Sequence, residues 1–125
     1  MGEKFLEAAE SGDTNKLADL LAEGMNVDTC DEHGRTALFK ASKHGHLGVV
    51  QLLASHGANI NRKDNRGTNA LYWASTKGHL DIVQYLVSHH SDVHVTDDRG
   101  WSAMDQAVAK HYDEIVHELE AAGAH

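Results

Sequence analysis

The sequence predicts an all-α solenoid of stacked helix pairs, and three observations carry that prediction. The first is a period of 33 residues: Gly34, Gly67 and Gly100 share one phase, as do Ala41, Ala74 and Ala107, and Leu53, Leu86 and Leu119. Fixed residues recurring at such a period mark a stacked-repeat architecture. The second is that the apolar positions inside each period follow helical rather than strand spacing. The third is composition. A chain that is 41% hydrophobic but only 6% aromatic suits a thin, aliphatic core shared between neighbouring units rather than one large globular core.

The period divides the chain into four copies at about residues 1–30, 31–63, 64–96 and 97–125, read together as a single domain over 1–125. Each full copy reads as a hairpin or loop finger, two short antiparallel helices and a connecting loop. In the first full copy the helices are expected over Ala37–His44 and Leu47–His56. Thr36, Asn69 and Ser102 share one phase, and each is a residue whose side-chain oxygen can accept from the free N–H groups of a first helical turn. Ser102 and Asp105 add capping-box spacing. Gly45 and Gly78 between the helices, and Gly57 after the second, are placed to take the left-handed conformation that ends a helix. His111 and His90 stand at two such places, which non-glycine residues occupy at some cost.

The inward faces follow in the same order. Leu38, Ala41 and Ser42 line the first helix of the second copy, and Val49, Val50, Leu52 and Leu53 its second helix. Leu71, Ala74, Ile82, Val83 and Leu86 repeat the pattern, then Met104, Ala107, Ile115, Val116 and Leu119. The small residue at 41, 74 and 107 lets helices of adjacent copies approach; a larger one would overpack by about 1–3 kcal/mol. At both ends polar residues alternate with apolar ones, Glu3, Lys4, Glu7 and Glu10 against Phe5, Leu6, Ala8 and Ala9, and Asp113, Glu114, His117, Glu118 and Glu120 against Ile115, Val116 and Leu119. Terminal repeats with polar outer faces act as caps, so the chain reads as a complete domain rather than a slice of a longer array.

Composition excludes several classes of function. The single cysteine, Cys30, permits no internal disulfide and fits a reducing, intracellular setting, cytoplasmic in the first place with the nucleus left open. The acidic N-terminus has no signal-peptide pattern, and no apolar run is long enough to span a membrane. Net charge is −8, but residues 1–32 carry −7, 33–96 carry +4 and 97–125 carry −5. An acidic–basic–acidic chain is poorly suited to nucleic acid, whose binding rests on many phosphate contacts. The basic middle points to a partner of opposite charge.

The repeated pattern D-x-x-G-x-T-A-L-x-x-A-S-x-x-G-H-L-x-V-V-x-L-L-x-x-x-G-A-N-I-N, as residues 31–61 read it, resembles the ankyrin repeat, and the resemblance covers essentially the whole chain. It implies an ankyrin-repeat solenoid of antiparallel helix pairs joined by β-hairpin or loop fingers, acting as a scaffold and not an enzyme. The chain departs from the family in having no proline. Where the family has Thr-Pro-Leu-His, the copies read Thr36-Ala37-Leu38-Phe39, Asn69-Ala70-Leu71-Tyr72 and Ser102-Ala103-Met104-Asp105. That removes both a backbone restraint and the family's histidine bond between turns, and puts in question how rigid the helix starts are. The resemblance also places Asn61, at the end of the loop from Leu53, where the ankyrin asparaginyl hydroxylase of animal cells acts.

Eleven histidines invite a metal or small-ligand reading, with His44 and His46, and His89, His90 and His94, the densest groups. No HExxH or CxxC pattern accompanies them. The resemblance assigns His46 and His79 to a Gly-His step before the second helix, and His90 and His111 to glycine positions. No nucleophile elbow, phosphate-binding glycine loop or distinctive acid pair is present. No cofactor, metal site or catalytic residue is therefore expected.

Recognition is the richer signal. The resemblance implies that partners dock on the finger tips and on the concave face made by the first helices. On this chain those positions include His33, Arg35, Arg66, Arg99 and Trp101 at the tips, and Lys40, Lys43, His44, Trp73, Lys77 and Lys110 on the face. Stacking turns equal phases into columns: His33, Arg66 and Arg99 in one, His44, Lys77 and Lys110 in another, with Trp73 between Lys40 and Gln106 in a third. Basic groups beside aromatic ones match the composition of interface hot spots. The expectation is a monomeric protein-interaction module that binds an acidic segment of a partner protein, centred on Arg66, Trp73, Lys77 and Trp101. A small free-standing regulator that inhibits or caps its partner is the alternative within the same class. Each residue also has a plainer explanation: Lys77 and Lys110 suit helix C-termini by charge alone, the tip arginines can be solvated, Trp73 can pack between copies, and Trp101 can cover its own finger.

Overall fold

Helices of seven to ten residues are marginal in isolation, so this chain holds its helices by stacking them. The computed structural model describes residues 2–124. Among these there are eight helices: α1 (Gly2–Ser11), α2 (Thr14–Ala22), α3 (Ala37–His44), α4 (Leu47–Ser55), α5 (Ala70–Lys77), α6 (Leu80–Ser88), α7 (Ala103–Ala109) and α8 (Asp113–Ala121). Consecutive helices pair as α1–α2, α3–α4, α5–α6 and α7–α8. The odd helices then pack side by side in one row and the even helices in a second. This is the expected all-α repeat solenoid, and the helix bounds in the second copy agree with the expected ones to within one residue.

The core runs continuously between the rows. Phe5, Leu17, Val50, Leu53, Leu71, Ile82, Val83, Leu86 and Leu119 are fully buried, and Ala41, Ala74 and Ala107 have no exposed surface at all. The alanine column therefore lies wholly inside the core. Leu52 and Val116 differ from expectation: both are only partly buried and pack against the edge of the core.

Helix starts vary more than the sequence suggests. Asn69 accepts from the Tyr72 N–H at 2.9 Å, and Ser102 with Asp105 forms the full capping box. Thr36 holds the same position but makes no side-chain cap bond; it is buried, and its backbone pairs with Cys30 in an isolated antiparallel bridge. At the family's histidine position, Tyr72 and Asp105 make side-chain bonds of their own. Tyr72 donates to Asp97 Oδ2 at 2.7 Å and accepts from Gln106 Nε2 at 3.0 Å, both in the next copy. Burial, then the Asp97 acceptor, pushes the Tyr72 phenol up to about 12. The left-handed positions are occupied as read, including His90 (φ 66°) and His111 (φ 61°).

Between copies, the imidazole Nε2–H of His46 donates to the Glu10 carbonyl at 2.8 Å, and that of His79 to the Lys43 carbonyl at 3.0 Å. Each ring thereby caps the C-terminal end of the preceding first helix and lies over its terminal glycine. A Cβ on Gly45 would sit 2.7 Å from His79, and one on Gly78 would sit 2.9 Å from Tyr112. The Asn61 side chain is engaged at both ends, donating to the His90 carbonyl and accepting from the Asp92 N–H at 2.7 Å.

Candidate functional site

The fingers are built on a column of aspartates. Asp31, Asp64 and Asp97 each close a five-residue turn, with their N–H groups donating to the carbonyls of Arg35, Thr68 and Trp101 at 2.8–3.0 Å. Each also accepts two backbone N–H groups on Oδ1: from His33 and Arg35, from Arg66 and Thr68, and from Arg99 and Trp101. The second carboxylate oxygen takes a different side chain in each copy: Lys40 at 2.9 Å, Arg35 at 3.1 Å and Tyr72 at 2.7 Å respectively. Burial pushes the Asp31 and Asp97 carboxyls up, but these donors outweigh it and hold both below the usual range. Sequence reasoning missed this role. The signal was present in the recurrence of Asp three residues before the finger glycine, the pattern of a side chain that bonds its own turn.

This aspartate column decides which basic side chains are free. Arg35 is held by Asp64, whose side chain is 1% exposed, and its guanidinium also lies 5.3 Å from the Trp73 ring centre. Lys40 is held by Asp31, with Glu10 farther away at 3.9 Å. Arg66 forms a two-point contact with Asp98 of the next finger, at 3.0 and 3.3 Å. That bond holds the Asp98 carboxyl below its ordinary value and Arg66 above. His33 stands 3.6 Å from Glu32, and His44 stands 3.7 Å from Glu10. Burial pushes the His44 imidazole down, Glu10 opposing, which favours its neutral form.

Four cations on this face have no carboxylate within 4 Å among the described residues: Lys43, Lys77, Arg99 and Lys110. Lys110 donates to the Thr76 carbonyl at 2.8 Å, ending α5 as His46 and His79 end the earlier helices. Lys43 rests 5.1 Å from the Trp73 ring centre. Burial and its neighbours Arg35, Lys77 and Lys40 push the Lys43 ammonium down.

The two tryptophans occupy unlike settings. Trp73 is half-buried: its indole N–H donates to Thr68 Oγ1 at 3.0 Å, and Tyr72, Arg35 and Lys43 surround its ring. Trp101 is 45% exposed at the last finger and lines an open groove with Arg66, Asp97, Arg99, Gln106 and Ala109. The sequence-derived set thus divides into an inner cluster (Arg35, Lys40, Lys43, His44, Trp73, Lys77) and an outer one (Arg66, Arg99, Trp101). Lys110 ties the last copy to the one before, and His33 stands at the first finger.

Among the described residues no three His, Cys, Asp or Glu side chains converge as a metal site, and no helix is long and apolar enough to cross a membrane. His46 and His79 are committed to carbonyls, and His89 stacks on Tyr85 while bonding its carbonyl.

Comparison with known proteins agrees with the architecture. The family profile described as "Ankyrin repeats (3 copies)" matches residues 5–97 and again 64–125. A curated relative from Escherichia coli (strain K12), named "Putative ankyrin repeat protein YahD", is 41% identical over 49 residues, 39% of this chain. The aligned stretch spans only 24% of that relative's own length. With the period, the paired helices and the left-handed stops in place, the chain belongs to the ankyrin-repeat family, whose repeats are general protein–protein interaction modules.

Proposed function

We propose that this chain forms a single interaction domain that binds an acidic segment of a partner protein along its concave face and finger tips. The observation that carries the reading is the set of four cations without carboxylate partners among the described residues, Lys43, Lys77, Arg99 and Lys110, set among the first helices and the last finger of a chain whose net charge is −8. Elsewhere on this face basic groups are matched by the chain's own carboxylates. Charges left unmatched on a rigid surface steer and select an oppositely charged partner. The exposed Trp101 beside Arg99 supplies apolar area of the kind that anchors interfaces. In this reading the domain acts as a monomer and does no chemistry of its own.

The test uses a labelled hexaglutamate peptide, with hexaglutamine as the uncharged control, and reads fluorescence anisotropy at low and high salt. Wild type is expected to bind hexaglutamate only, more weakly as salt rises. A triple variant, Lys77→Glu with Arg99→Glu and Trp101→Ala, is expected to lose at least tenfold in affinity while its circular dichroism is unchanged. Arg66 is left intact because its bond to Asp98 joins two fingers. No binding by wild type, or equal binding by the triple variant, overturns the proposal.

A further inference from the structure

The inner cluster has a finer structure than a basic surface. Four cations, Arg35, Lys40, Lys43 and Lys77, meet three carboxylates, Asp31, Asp64 and Glu10. Arg35 and Lys40 are matched at bonding distance by Asp64 and Asp31. The third carboxylate is not matched in this way. Glu10 reaches from the end of α1 to 3.9 Å from Lys40 and 3.7 Å from His44, both beyond hydrogen-bond distance, and its side chain is 45% exposed. Lys43 is left with only a ring beside it. The face of Trp73 attracts a cation weakly, but it carries no charge to cancel the ammonium. Glu10, Arg35, Phe39, Lys40, Lys43 and Trp73 together line a small pocket opening from this point.

We propose that this pocket seats one carboxylate side chain of the bound acidic segment, against Lys43 and Trp73, and that Glu10 is its internal competitor. The inference rests on the acidic-partner reading above and adds where one side chain goes. One positive charge remains after the three carboxylates are counted, so an aspartate or glutamate head neutralises the cluster. A phosphate dianion overshoots it and faces Glu10, Asp31 and Asp64 at close range. An entering carboxylate gains a charge-assisted bond to the ammonium, at about 2.7–2.9 Å, which Glu10 does not make. Glu10 stands at the rim and screens the same cations, so its charge opposes the incoming one.

The experiment measures the dissociation constant of hexaglutamate for wild type, Lys43→Met, Glu10→Gln and Lys16→Met. Methionine keeps an apolar stem against Trp73 and removes the charge. Lys16 lies exposed on α2, away from the pocket, and controls for the loss of one positive charge anywhere. A peptide with phosphoserine in place of one central glutamate completes the set. Lys43→Met is expected to weaken binding about tenfold and Glu10→Gln to tighten it about two- to threefold. Lys16→Met should leave affinity within about twofold of wild type, and the phosphoserine peptide should bind no tighter than hexaglutamate. If wild type binds but Lys43→Met behaves like Lys16→Met, the seat is overturned while the wider reading stands. If Glu10→Gln binds no better than wild type, the competitor role falls. If the phosphoserine peptide binds tighter, the carboxylate assignment is wrong. If wild type does not bind hexaglutamate, the acidic-partner reading falls and the seat with it.

Discussion

Asp64 is a deeply buried carboxylate, and replacing it with alanine should unfold the domain about 11 °C earlier. Its carboxylate is 1% exposed and holds three donors: the N–H groups of Arg66 and Thr68 at 3.0 and 2.9 Å, and Arg35 Nε at 3.1 Å. Removing it strands the buried Thr68 N–H, at about 1–3 kcal/mol for an orphaned donor. It also leaves Arg35 without its anion. Breaking a fully buried pair costs about 3–5 kcal/mol, but Arg35 keeps a fifth of its side chain in water and stays beside Trp73. About 1–2 kcal/mol is the fitting share for that partly exposed partner. The two ranges sum to about 2–5 kcal/mol, of which we take about 3 kcal/mol. With an unfolding entropy of about 2.1 cal/mol/K per residue, that lowers Tm by about 11 °C. Asp31→Ala provides the comparison. It has the same two backbone donors, but its carboxylate is 15% exposed and its third partner is a lysine, so roughly half the loss is expected there. Asp64→Asn should recover part of the stability, because an amide oxygen still accepts the two N–H groups while its NH2 faces Arg35. Scanning calorimetry of the four proteins reads all of this. A loss below about 4 °C for Asp64→Ala, or an equal or larger loss for Asp31→Ala, would refute burial as the deciding factor.

Other consequences can be measured on the same material. Gly78→Ala and Gly24→Ala share the strain of positive φ, but only at Gly78 would the new Cβ meet a ring, 2.9 Å from Tyr112, while Gly24 faces open space. Gly78→Ala should therefore cost more by about 1–3 kcal/mol in urea unfolding; equal costs would mean that Tyr112 moves aside freely. Asn69→Ala should cost about 1–2 kcal/mol, and Thr36→Ala clearly less, because only Asn69 makes the cap bond and it also donates to the Asp92 carbonyl. The reverse order would remove capping as the reason for the residue at this phase. In an alkaline absorbance titration, Tyr72 should ionise at about 12. Its folded pKa lies above the unfolded value near 10, so its contribution to stability is complete below about pH 10 and is lost as pH rises through about 12. A Tyr72→Phe variant that removes a transition near pH 10 instead would contradict the buried hydrogen bond to Asp97.

The 33-residue period, the paired helices, the alanine column, the polar end faces and the left-handed histidines were legible in the sequence. All of them depend on relations that repeat locally: which side chain packs at a given phase of a helix, and which backbone angle a residue tolerates. The candidate surface was legible only as a list of positions. Whether Arg66 is free or tied to Asp98, whether Lys40 is matched by Asp31, and whether Trp73 is offered outward or locked to Thr68 turn on side-chain atoms that the folded backbone brings together. For Arg66 the partner comes from the neighbouring copy, 32 residues away, whereas Asp31 and Thr68 belong to the same copies as Lys40 and Trp73. Arg35 shows the difference most clearly: its phase marks a finger tip, yet the adjoining copy brings the buried carboxylate of Asp64 to its guanidinium. Sequence alone determined that this chain stacks repeated helix pairs and, in the second copy, where the helices start and stop to within one residue, because those are properties of short segments. Only the tertiary structure decided which of its cations remain unmatched, because a charge is neutralised by whatever the stack places within a few ångströms of it.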